Sequence, residues 1–193
     1  MKKSWIIIGG VIIALIFLAL TPYNGMVSQN EEVKTAWSKV ETQYQRRGDL
    51  IDNLVSTVKG YADFEKSTLV EVIEARSQAT QTKIDANDLT PENIAAFQKA
   101  QGQVSSSLSR LLVTVEQYPN LKANEGFLKL QDEIAGTENR IAVARDNFND
   151  VAKTYNVFIQ TFPRNLVARL FGFKVKGYFE ADAEKKKAPI VKF

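Results

Sequence analysis

Phe127, Ile134, Ile141, Phe148, Tyr155 and Phe162 stand seven residues apart, and Leu130, Thr137, Ala144, Val151 and Phe158 fill the offset position. Apolar residues repeated in this way fall on one stripe of an α-helix and form the a/d seam through which helices pack together. A strand would place them on alternate positions. The stretch therefore predicts a long helix that must bury one face against other helices, and this governs every fold open to the chain.

The same stepping by three and four recurs twice. Ile94, Phe97, Gln101, Val104, Leu108, Leu111, Val115 and Tyr118 form a second seam. Its start is marked by "LTPEN", with Thr90 as a cap, Pro91 at the first helical position and Glu92 at the positive end of the dipole. Pro119 marks its end. The first and longest seam runs through Trp37, Val40, Tyr44, Arg47, Ile51, Leu54, Val58, Tyr61, Glu65, Thr68 and Val72, predicting one helix from about Asn24 to about Ile84. Gly48 and Gly60 are the places where it could bend. Short turns at 85–89 and 119–124 make neighbouring helices antiparallel. The expected fold is all-α: an N-terminal transmembrane helix, then an antiparallel coiled-coil-like bundle of three long helices, with a short C-terminal helix. The expected division is an anchor at 1–22, the bundle at 23–162 and a basic amphipathic tail at 163–193.

The anchor rests on "MKKSWIIIGGVIIALIFLALTPYN". No charge occurs from Trp5 to Leu20, and residues 4–21 would span about 27 Å as helix, close to the ~30 Å of a bilayer's hydrocarbon. Trp5 and Tyr23 stand where aromatic rings favour the two interfaces, and Lys2 and Lys3 favour a cytoplasmic N-terminus. The rival is a cleaved signal peptide, but no small-x-small site follows the run. The expected location is the bacterial inner membrane, single-pass, with the bulk of the chain in the periplasm or its equivalent outside the cytoplasm.

Composition narrows the chemistry. With no Cys and no His among 193 residues, thiolate nucleophiles, imidazole acid–base catalysis and Cys/His zinc sites are excluded. Residues 22–161 carry 15 Lys/Arg against 19 Asp/Glu, whereas 162–193 carry 8 against 3. Too little basic excess lies on the bundle for nucleic-acid binding to be expected. "GFKVKGYF" places Tyr178 where a phosphate loop needs lysine. The serines of "GQVSSSLS" lie on the second helix as a small-residue surface. Bundle di-iron sites need Glu-x-x-His, and the adjacent acids Glu31/Glu32 and Asp132/Glu133 point to different faces. No cofactor, no metal and no enzyme activity are expected.

Charges interrupt the seams. Arg47 and Glu65 fall on the first, flanked by Arg46 and Asp49, while Glu138 and Arg145 sit beside the third. One reading lets them snorkel to water. The other is an interhelical network in which Arg46 or Arg47 meets Glu138, and Glu65 or Asp49 meets Arg145 or Arg76. Such a network would fix helix register more than add stability.

Three stretches carry a family resemblance: "YNGMVSQNEEVKTAWSKVETQYQRRGDLIDNLVSTVKGYADFE", "EQYPNLKANEGFLKLQDEIAGTENRIAVARDNFNDVAKTYN" and "FPRNLVARLFGFKVKGYFEAD". In these the chain resembles the LemA family of bacterial membrane proteins, over nearly its whole length. It departs from the family's pattern at Asp52, where proline is usual, and at Gly126, where asparagine is common. The resemblance implies a single-pass membrane protein with a long-helix bundle, and implies no reaction.

The expected function is a non-catalytic, membrane-anchored scaffold of the cell envelope that forms a homo-oligomer; the alternative is an adaptor for an envelope protein such as a protease or chaperone. A straight first helix would carry the tail far from its own membrane. Leu166, Leu170, Phe171, Phe173 and Phe179 would then pack on the bundle or on a second copy. A fold-back at Gly48 or Gly60 would instead return the tail to the lipid.

Overall fold

A computed structural model describes the backbone at residues 2–61 and 64–180; side chains at 2–8 and 11–19 lie outside the described set. Among the described residues the chain is all-helical: α1 (Lys2–Lys59), α2 (Lys66–Gln81), α3 (Pro91–Val115), the single turn α4 (Pro119–Lys122), α5 (Glu125–Gln160) and α6 (Arg164–Phe171). Among the described residues no helix is long and apolar enough to cross a membrane. The span expected at 4–21, with Lys2, Lys3 and Trp5, falls mostly on side chains outside the described set, although its backbone is helical and continuous with the bundle.

The long first helix is corrected. It stops at Lys59, and the chain reverses between Gly60 and Glu65 before α2 begins. Gly60 and Tyr61 close the turn by donating their N–H groups to the carbonyls of Thr57 and Val58. Three long helices become four antiparallel rods. α1 pairs chiefly with α5, and α2 with α3. The 37 residues of α1 beyond Pro22 rise about 55 Å, matching the ~54 Å of α5.

The seams supply the core. Trp37, Val40, Ile51, Leu54 and Val58 on α1 face Phe127, Ile141, Phe148 and Tyr155 on α5, all nearly or wholly removed from water. Thr90 Oγ1 accepts from the Asn93 N–H at 3.3 Å, and Asn124 Oδ1 caps α5 from the Phe127 N–H at 2.9 Å. Phe162 departs from the expected seam: α5 has ended before it, and the ring is 78% exposed.

Two apolar clusters lie end to end. One gathers Met26 to Tyr44, Ile94, Phe97 and Ile141 to Ile159; the other gathers Leu50 to Val58, Ala100 to Val115 and Phe127 to Ile134. α2 lies alongside only part of α1, with Arg76 donating to the Gly48 carbonyl at 3.3 Å. Nearer Tyr23, the segment after α6 runs beside α1 without regular secondary structure. Tyr23 touches Phe173, and Trp37 stacks on Phe179.

Of the two placements of the tail, the straight helix is overturned and the fold-back at Gly60 is the one found. Once the chain reverses at 60–65, α5 descends antiparallel to α1 and delivers α6 beside Tyr23, whose ring centroid is 4.8 Å from that of Phe171. Gly25 sits where α1 and α5 approach closely: an added Cβ would come 2.7 Å from the Phe158 ring.

Candidate functional site

Arg47 occupies the boundary between the two apolar clusters and is 2% exposed. Its helical position aims it inward from α1, so its charge must be answered inside the bundle. Nη1 donates to Glu138 Oε1 on α5 at 2.8 Å and to Ser105 Oγ on α3 at 3.0 Å. Nη2 donates to Gln101 Oε1 at 2.5 Å and to the Gln101 carbonyl at 3.3 Å. The guanidinium also lies 5.0 Å from the Tyr44 ring centroid. One side chain thus ties three helices at one level.

The other charges expected in this network are dispersed. Arg46 and Asp49 lie on the exposed side of α1. Arg76 pairs with Asp52. Glu65 precedes α2 and accepts from Ser67 at 2.6 Å. Arg145 places its guanidinium 4.8 Å over the Phe179 ring. The pairings of Glu65 or Asp49 with Arg145 or Arg76 are not made: the reversal at 60–65 brings Arg76 onto the Gly48 carbonyl and Asp52 while Asp49 faces outward, and Arg145 lies over Phe179. Gln101 and Ser105 were not expected in the node. Gln101 carried a signal, being a polar residue at a seam position; Ser105 looked like its serine neighbours.

A half-polar cleft of about 530 Å³ opens beside the node, bounded by Glu41, Gln45, Arg76, Lys83 and Phe97 among others. Burial pushes the Glu41 carboxyl above its usual range, outweighing the downward pull of the Trp37 indole and Lys83. Cations and carboxylates mingle here, and no cluster of metal-ligating side chains occurs among the described residues.

The second constellation is the bound tail. Three side-chain amides each grip both backbone groups of one tail residue. Asn156 accepts from the Lys176 N–H at 2.8 Å and donates to its carbonyl at 2.9 Å. Asn149 does the same for Phe179 at 2.8 and 2.9 Å. Gln98 holds Glu180 at 3.0 and 2.8 Å. Between them, the Gly177 N–H donates to the Leu89 carbonyl at 2.9 Å. A helix surface has no free backbone ladder to offer a strand, so the amides stand in for one. Phe179, 6% exposed, fills a cage of Trp37, Phe97 and Phe148. It is therefore not available as a self-association surface; Phe173 is half-buried, while Leu166, Leu170 and Phe171 remain exposed.

These elements come from the stretches that match a known family. The LemA family model matches residues 36–193, which include the Arg47 node, the three amide clamps and Phe179. The chain belongs to the LemA family. Magnetosome protein MamQ 2 of Paramagnetospirillum magneticum is 28% identical over 190 residues, covering 88% of this LemA-family chain and 68% of that protein. Magnetosome protein MamQ of Magnetospirillum gryphiswaldense is 29% identical over 189 residues, covering 87% and 68%. Protein LemA of Metamycoplasma hominis is 28% identical over 158 residues, covering 82% and 68%.

Proposed function

We propose that this LemA-family chain is a non-catalytic scaffold of the bacterial envelope, held in the inner membrane by residues 4–21 with its bundle outside the cytoplasm, and assembled as a homo-oligomer. The observation that carries the reading is the continuity of α1 from Lys2 to Lys59. One helix serves as both stem and bundle rod, so a span within it would fix the orientation of the bundle without a flexible linker. Lys2, Lys3, Trp5 and Tyr23 supply the charge and aromatic boundaries of such a stem. Gly10 and Ala14 add a small-x-x-x-small face for a second copy within the membrane. Similarity to magnetosome proteins supports an envelope role without naming a partner. The node ties helices together and the groove holds the chain's own tail, so both fit a structural part better than a reaction centre.

Native mass measurement of the full chain extracted in detergent tests the assembly: several copies are expected, and a monomer alone at every concentration would refute it. The clamped tail favours a second reading, an adaptor that lends its amide-lined groove to an extended segment of an envelope protein. Crosslinking in cells separates the two. A scaffold gives mainly self-crosslinks, an adaptor mainly one foreign product.

A further inference from the structure

We propose that α6 is a lipid-binding helix that lies in the surface of the membrane holding the start of α1; this rests on the anchor reading above. α6 is fixed from one side only. Ala168 is buried against the bundle, while Leu166 and Leu170 are turned outward, with Leu170 77% exposed; Phe162 is exposed just before the helix, and Phe171 at its end is half-exposed against Tyr23. Leu166 and Leu170 are one helical turn apart, so they share a face. Apolar side chains so grouped on a short helix are costly to leave in water.

Position and charge identify what covers them. Tyr23 contacts Phe171 and Phe173, and Leu20, half-exposed, ends the apolar run on the same helix three residues earlier. α6 thus sits at the height where α1 would leave the hydrocarbon. Arg169 and Lys174 are exposed beside the apolar face, and Arg164 stands 4.1 Å over the Phe158 ring at the base of α5. A helix with apolar residues on one side and flanking cations suits the boundary between acyl chains and anionic headgroups. Gly172, with φ of 76°, then turns the backbone away, so the following residues climb back into the groove. The lipid contact is consequently a short loop of chain fastened at both ends, by the Arg164–Phe158 contact before and by the amide clamps after.

The natural chain has no cysteine, so single probes can be placed cleanly. Leu170→Cys, Leu20→Cys and Val113→Cys full-length variants, each carrying an environment-sensitive fluorophore, are reconstituted in vesicles of phosphatidylcholine with or without phosphatidylglycerol. Lipids brominated on their acyl chains are then added as quenchers. Quenching of several-fold is expected at 170 and 20, and none at 113, which lies on the exposed face near the opposite end of the bundle. Adding Arg169→Glu with Lys174→Glu should weaken quenching at 170 in the phosphatidylglycerol vesicles and leave it unchanged at 20. Quenching at 20 without quenching at 170 overturns the role of α6 alone. Silence at both overturns the anchor and the inference with it. Self-quenching at 170 that disappears on dilution with unlabelled protein would assign the face to a second copy and refute the lipid contact.

Discussion

Arg47 and Glu138, 91 positions apart in sequence, meet at 2.8 Å with very different access to water: the arginine side chain is 3% exposed and the glutamate 41%. This asymmetry decides which member the fold depends on. Removing Glu138 leaves the buried cation with neutral partners only, Ser105 and Gln101, whereas removing Arg47 leaves a carboxylate that water can reach. We expect Glu138→Ala to cost about 2 kcal/mol, within the range for losing a hydrogen bond to a charged group. Arg47→Met, which keeps the packing of the stem, should cost about 1 kcal/mol because its lost hydrogen bonds are partly replaced by water. Urea unfolding of both variants checks the order. Equal losses, no larger than for the exposed Lys59→Ala, would show that the node does not set register.

Gly177 lies so close to the start of α3 that an added Cβ would come 2.7 Å from Pro91 Cα and 2.9 Å from the Thr90 carbonyl oxygen. Neither is a side chain that can swing aside. Gly177→Ala should therefore lift the tail from its groove at a cost of about 1–3 kcal/mol, the usual penalty for overpacking. Limited proteolysis would reveal it as new cleavage at 172–178. Resistance equal to that of the natural chain would mean that the backbone shifts at little cost.

Asn156 gives the neatest separation of tail docking from bundle stability. Asn156→Leu leaves the buried Lys176 N–H with no acceptor, a penalty of about 1–3 kcal/mol falling on the tail. Hydrogen exchange should show the Lys176 amide losing protection while amides in the middle of α5 keep theirs. Uniform loss throughout would show that the tail and the bundle unfold as one unit.

Phe179 fills the aromatic cage on which α1, α3 and α5 converge. Phe179→Ala should cost about 3–5 kcal/mol, and in a Trp5→Phe background it should red-shift the Trp37 emission as water enters. Phe171→Ala, at an exposed ring, should leave both stability and the Trp37 spectrum nearly unchanged.

Helices were legible in this sequence because burial leaves a period. Trp37 to Val58, Ile94 to Val115 and Phe127 to Tyr155 each write their buried face into the spacing, and Thr90 and Pro119 punctuate it. The reversal at Gly60 was not legible as a break, because Tyr61, Thr68 and Val72 continue the count through it. Only Gly60 itself hinted at a bend. Arg47 announced itself as a charge on an apolar seam. The tail left no such trace. An irregular segment gripped by Gln98, Asn149 and Asn156 has no period of its own, and its partners look like ordinary polar residues beside a seam. Their role depends on which residues the reversal brings opposite them.

Tyr155 and Lys176 should shape the alkaline stability of the fold in opposite senses. Burial raises the Tyr155 hydroxyl from 10 to about 12 and lowers the Lys176 ammonium below 10.5, and the lysine lies 5.6 Å over the tyrosine ring. Lys34 pushes the lysine further down and Asp88 pulls it up. For Lys176, between its lowered folded value and 10.5, the unfolded chain binds the extra proton, so stability rises with pH across that interval. For Tyr155 the folded chain keeps its proton longer. That contribution is complete below pH 10 and is lost as pH rises through about 12. Unfolding measured from pH 8 to pH 12 should therefore show a shallow gain followed by a loss. Lys176→Met should abolish the gain, and Tyr155→Phe should flatten the loss. A loss that persists unchanged in Tyr155→Phe would place the alkaline transition at some other group.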